Sequence, residues 1–366
     1  MGKEIVSSKQ MINIIILFIL GTAFISGGSA TAKQDSWISI IFAFLLLIPI
    51  YLVYAKLNKL YPNKNVFEMF YECFGKIGGL IFTIIFTLFS LHLGALVIRN
   101  FTEFIQVVSL PETPQYALAI FLGVLSIWIV KSGIEILGRG ATITVPIVIT
   151  ATILTVVLNI NNIDLSYIQP VFGSGFGKIL SNSINYISFP FGEAVLFLSV
   201  MPCLKLKASP YKVYLIGAAI GCVILLMGRL RNTLVLGLPT LETLCFPSYN
   251  AVGIINIKEF ITRIEVLIIG NFILSGLAKV CICIYVTCKG FARLFNVANY
   301  KNFAAPVALM MIAVSAVTSS NTMEMMAYLK PYKYYAPVIE IFVPFLLLVV
   351  TLIKKPKKNS TLVAKE

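Results

Sequence analysis

Residues 186–197 read YISFPFGEAVLF, and how this stretch is understood decides the fold. It sits inside an apolar segment that otherwise looks ready to cross a bilayer. Yet Pro190, Gly192 and Glu193 fall within four consecutive positions. Proline removes a backbone donor, glycine loosens the helix, and a carboxylate is costly in hydrocarbon. A span broken here exposes N–H and C=O groups that lipid cannot satisfy. It persists only where a cavity, a ligand or neighbouring helices satisfy them.

Outward from this stretch, the whole chain has membrane character. Its 366 residues are 58% hydrophobic and 12% charged, against about 45–50% and 25% in soluble domains. Apolar runs recur from end to end, which predicts an all-α polytopic membrane protein. Ten spans are expected, near 11–30, 37–57, 79–108, 115–131, 141–158, 183–202, 212–235, 264–288, 303–320 and 335–353. The first run lacks a small-residue cleavage pattern and is read as a span rather than a signal peptide. Gly2 is not read as a lipidation site, and the seven cysteines are read as small apolar packing residues.

The net charge of +14 is largely a topology signal and not one for nucleic acid. Lys56, Lys59, Lys64, Lys76, Lys131, Arg139, Lys205, Lys207, Lys289, Arg293 and the KKPKK tail fall on one side of the array. Few basic residues, among them Lys33, Lys178 and Lys330, fall on the other. The positive-inside rule then places both termini in the cytoplasm. The tail, 354–366, reads equally as a lipid-touching segment or a solvated one. The longest connections, 159–182 and 236–262, leave no room for a soluble catalytic domain.

The broken span has a counterpart. Span 1 reads LFILGTAFISGGSA (17–30), with Gly21, Gly27 and Gly28. Interrupted helices at matching places in a five-plus-five array predict an inverted repeat, about 11–158 and about 183–353, within one integral membrane domain. Half-helix ends then face a substrate near the bilayer midplane. Gly21 and Gly192 can let backbone approach a ligand, whereas Gly27 and Gly28 serve close helix packing equally well.

Ionisable residues inside spans are the next signal. Arg99 and Glu103 are spaced i,i+4 in span 3, as an internal ion pair would be. His92, in the same span, reads as a structural polar contact. Glu193 follows the break in span 6. Arg229 and Arg231 near the outer end of span 7 are expected to snorkel. Lys279 in span 8 has three readings: a substitute for a coupling cation, a proton carrier, or a structural cation. One histidine in the chain leaves no His-based metal site and no Ser–His triad, so no enzyme, metal or cofactor is expected. GSGFG (173–177) reads as a turn, since no strand precedes it and no Lys–Ser pair follows. Asp35 is expected to cap span 2, and Glu135 and Arg139 to pair on a short intracellular helix.

Taken in order, SSKQ, KQDSW, YPNKNVFEMFYECFGKIGG, LVIRNFTEFI, LPETP, GIEILGRG, IQPVFGSG and SFPFGEAVLFLSVMP carry a resemblance across nearly the whole chain. It resembles the spore germination permease family, the B subunits of endospore germinant receptors, in the amino acid–polyamine–organocation superfamily. The resemblance implies a LeuT-like fold with a pocket among spans 1, 3, 6 and 8. Gly21, Thr22 and Ala23 would line it from span 1, Leu93 and Val97 from span 3, Phe191 and Gly192 from span 6, and Lys279 from span 8. Pro190, Glu193, Arg99 and Glu103 would support the break and its polar surroundings. It also implies a small nutrient ligand, often an amino acid, a place in the spore inner membrane, and partner A-type and C-type (lipoprotein) subunits. GTAFI at the span 1 break departs from the larger residue or second glycine common in relatives, and so transfers no ligand preference. A proton-coupled amino acid permease working through Lys279, or part of an ion-release conduit near Arg99, Glu103 and Glu193, are the alternatives.

Overall fold

A computed structural model describes residues 4–23, 30–255 and 263–354. Gly27, Gly28 and residues 355–366 of the basic tail lie outside them. Helix α1 (Ser8–Leu20) opens on a reciprocal cap. The Gln10 amide donates to Ser7 Oγ at 3.3 Å, and the Ser7 amide to Gln10 Oε1 at 2.9 Å. It then runs as a buried, almost wholly apolar rod, with Asn13 its one polar residue after the cap, and stops before Gly21. Helix α2 (Ser36–Leu60) follows.

Helix α3 (Val66–Val108) has 43 residues, about 65 Å at 1.5 Å per residue and far more than a bilayer core of about 30 Å. Gly75, with φ 73°, resolves this by bending the chain. The segment before it, expected as a connection, is the capped first part of the helix, opened by Asn65 and Glu68. Helices α4 (Gln115–Ser132) and α5 (Ile134–Leu158) close the first half. Glu135 and Arg139 belong to the first two turns of α5 rather than to a separate helix, with 3.9 Å between their charged atoms.

Helix α6 (Phe176–Tyr186) begins the second half and gives way to a π-helical stretch (Ile187–Phe191) in which Phe189 is extended. A 3₁₀ stretch (Gly192–Leu196) and α7 (Phe197–Val200) complete the span. Helices α8 (Pro210–Thr243), α9 (Pro247–Gly253), α10 (Val266–Leu294) and α11 (Ala304–Thr318) follow. Short α12 (Thr322–Ala327) and α13 (Leu329–Pro337) lead into a π-helical turn (Val338–Phe342) and α14 (Val343–Lys354). The final span is thus interrupted as well, which the sequence reading did not anticipate. Among the described residues nine helical segments are long and apolar enough to cross a membrane, and α1, with 13 residues, is apolar but shorter.

α10 packs along α3, and α1 against α8, α5 and α10, so the two halves interlock. At the face carrying the termini, Val6 pairs with the end of span 6 through bonds to the Cys203 carbonyl (2.7 Å) and from Lys205 (3.1 Å).

Two expectations are corrected here. Asp35 makes no side-chain cap to α2. Its buried carboxylate instead accepts the amides of Phe172 (2.8 Å) and Ser174 (2.9 Å) and the Ser174 hydroxyl, because the turn before α6 gathers these donors. Arg231 does not snorkel; it is buried, donating to Thr155 Oγ1 (2.7 Å) and Asn232 Oδ1 (2.7 Å), which solvate the guanidinium inside the bundle.

Candidate functional site

The two breaks meet around one ion pair. α1 ends at Gly21, and a Cβ there would lie 2.5 Å from Lys279 Cδ of α10. The glycine is therefore the groove along which the lysine chain runs. Its ammonium pairs directly with Glu193, just past the span 6 break, and both side chains are 0% exposed. The rings of Phe189 (4.8 Å) and Phe18 (5.2 Å) flank the ammonium. Tyr332 of α13 donates to the second Glu193 oxygen at 2.9 Å.

The free backbone groups of the breaks have specific partners. The Ser275 hydroxyl lies 3.3 Å from the Gly21 carbonyl. Tyr51 of α2 donates to the Phe191 carbonyl at 3.0 Å, and Tyr54 to that of Glu340. These hydroxyls replace the helical donors that the interruptions remove.

Above the pair is a small cavity of about 40 Å³, room for on the order of two or three waters. Thr22, Leu93, Val97, Arg99 and Glu193 of the expected residues line it. Gly21 and Lys279 lie beneath. Phe191 turns away to pack on Phe44 at 6.4 Å, and Phe189 is the aromatic that borders the space. Gly192 backs onto the Glu340 carboxylate.

Residues 319–332 cover the cavity with Ser319, Met325, Met326, Tyr328 and Tyr332. His92 fastens this cover, 3.0 Å from the Tyr328 hydroxyl and 3.3 Å from that of Tyr335. Arg99 and Glu103 form the i,i+4 pair at 2.8 Å, and Glu103 also receives Gln115 (2.6 Å) and the Thr322 hydroxyl. Within this lining, Thr22 Oγ1, Ser319 Oγ and Arg99 Nε are buried with no hydrogen-bond partner.

Sequence reading missed Glu340, Phe189 and the tyrosines of α2 and α13. Glu340 had a signal of the same kind as span 6: an acid between Pro337 and Pro344 in an apolar run.

Nine apolar spans among the described residues, packed with the short α1 so that two interrupted helices meet at the centre, form a LeuT-type fold. Two solved structures share it: Mhp1, a nucleobase-cation-symport-1 family transporter closed around bromovinylhydantoin (TM-score 0.73, 11% identity, 96% of this chain and 79% of that one). The other is MhsT in complex with L-phenylalanine (TM-score 0.69, 13% identity, 96% and 90%). The chain belongs to the spore germination protein family, whose profile matches residues 5–323. Spore germination protein KB of Bacillus subtilis (strain 168) is 26% identical over 367 residues, 99% of this chain and 98% of that protein. Putative spore germination protein YfkT of the same strain is 26% identical over 331 residues, 89% of each. This is an integral membrane protein with a transporter-like fold.

Proposed function

We propose that the chain is the nutrient-sensing B subunit of a spore germinant receptor, with a small polar ligand, an amino acid by preference, bound in the cavity at the two breaks. The observation that carries this is the set of unpartnered buried atoms in the cavity lining. Thr22 Oγ1, Ser319 Oγ and Arg99 Nε each lack a hydrogen-bond partner among the described residues, and such a deficit is removed by a ligand offering matching groups. Arg99 Nε suits a carboxylate, and the hydroxyls suit either polarity.

The names of the relatives supply germination as the process. The cavity is too small for an amino acid in this conformer, so binding is coupled to movement of the α12–α13 cover. That movement is the population shift a partner subunit could read. A-type and lipoprotein C-type subunits are the expected partners, and the spore inner membrane, with both termini cytoplasmic, is the expected location.

The test is thermal stabilisation of the purified full-length protein by a panel of L-amino acids, since a ligand that binds only the folded state raises Tm. Thr22→Val keeps the shape and removes the hydroxyl. It should weaken the effective ligand about tenfold, the equivalent of about 1.4 kcal/mol. Stabilisation indifferent to Thr22→Val would move the ligand elsewhere.

The buried Lys279–Glu193 pair favours a second reading, a proton-coupled amino acid permease. Uptake into proteoliposomes containing this chain alone, abolished by Lys279→Ala, would establish it.

A further inference from the structure

The buried charges at the centre of the bundle do not balance. Lys279 is the cation and Glu193 its partner. A second acid, Glu340, sits in the π-helical turn of the last span and is 0% exposed. Among the described residues, neither of its carboxylate oxygens has a hydrogen-bond partner and none of the ion pairs includes it.

Its surroundings explain why no neighbour compensates it. The carboxylate lies against Gly192, in the space a side chain there would fill, with the Ile187 carbonyl on the other side of that space. The groups acting on it are Glu193, Lys279 and Tyr332, with Tyr51 and Tyr54 from α2 and Tyr335 from α13. All but the ion pair are phenols. Their hydroxyls are directed elsewhere: Tyr51 to the Phe191 carbonyl, Tyr54 to the backbone oxygen of Glu340, and Tyr332 to Glu193. Tyr332 stands near both acids, but its well-formed bond goes to Glu193.

We infer that Glu340 is a proton-binding site, occupied in the conformer seen here. An unpaired carboxylate in a dry interior takes up a proton rather than bear the cost of burial. A zinc or other transition-metal ion would need several side-chain ligands, and no three His, Cys, Asp or Glu among the described residues form such a group. The proton neutralises the surplus acid and lets spans 6 and 10 close against each other at Gly192. Glu193 is the next residue and lines the ligand cavity. Loss of the proton sets a second negative charge beside the Lys279–Glu193 pair and pushes the two spans apart. Proton occupancy and the shape of the cavity are therefore linked, and the linkage is reciprocal. The site stands whether or not the cavity holds a nutrient.

The test needs no ligand. Infrared spectra of the full-length protein in detergent, with ¹³C-labelled glutamate, report the carboxylic acid C=O stretch in H₂O and D₂O at neutral pH. The expected result is a buried protonated-carboxyl band in the wild type that is absent from Glu340→Gln, shifted in Glu340→Asp and retained in Glu103→Gln. Replacing sodium by choline should leave it unchanged. A wild type with no such band overturns the inference. So does a band that survives both changes at position 340, or one that responds to sodium and so marks a cation site. Should one variant at 340 fail to fold, the other still decides.

Discussion

Among the described residues, Lys279 and Glu193 have each other, two aromatic rings and the Tyr332 hydroxyl to hold their charges inside the bundle. A buried pair of this kind is costly to break from one side, because the survivor is left charged and alone. Lys279→Met is expected to destabilise the protein by about 3–5 kcal/mol, and adding Glu193→Gln should restore most of that loss. Thermal unfolding of the wild type, both single variants and the double variant closes the cycle. Additive losses would mean that the two residues do not act as a unit. Both were legible one at a time, since an ionisable group in an apolar run declares itself. Their pairing was not, because 86 residues separate them and only the meeting of two broken spans brings them together. Phe189 and Phe191 show the same limit. Both flank Pro190, and which ring faces the cavity depends on one extended residue within the break.

At the scale of elements, the cover over the cavity rests on few polar contacts. His92 meets Tyr328 and Tyr335, and Glu103 receives Thr322. Removing one such bond costs about 1 kcal/mol. Tyr328→Phe should therefore raise amide exchange across 322–337 on the order of fivefold while leaving α10 protected. Unchanged exchange in that segment would show that apolar packing, not His92, holds the cover. The positions of the spans were readable from apolar length, and the interruption of span 6 from its proline, glycine and acid. The cover was not readable. MEMMAYLKPYKYY (323–335) mixes methionine, tyrosine and lysine and resembles an ordinary connection until its partners on α3 are known. Asp35 illustrates a related miss, since capping is a local inference and its actual donors lie on the turn before α6.

Over the whole molecule, space is distributed unevenly. The cavity at the breaks is about 40 Å³, whereas two larger ones of about 350 and 430 Å³ open at the face carrying the termini. That face is also held by the N-terminal segment, with Glu4 accepting from Tyr300 at 2.7 Å and lying 3.6 Å from Lys301. The centre of the molecule thus holds less open space than the face carrying the termini. The central claim is that the ligand occupies the space between the two breaks. It is tested most directly by filling that space. Leu93 lines the cavity and is buried, so Leu93→Trp blocks it while leaving Lys279 and Glu193 in place. Binding of the stabilising L-amino acid to the purified full-length protein is then measured by calorimetry for wild type and variant. The account predicts that Leu93→Trp melts near the wild-type temperature without ligand and loses binding. Undiminished binding by a folded Leu93→Trp protein would contradict it.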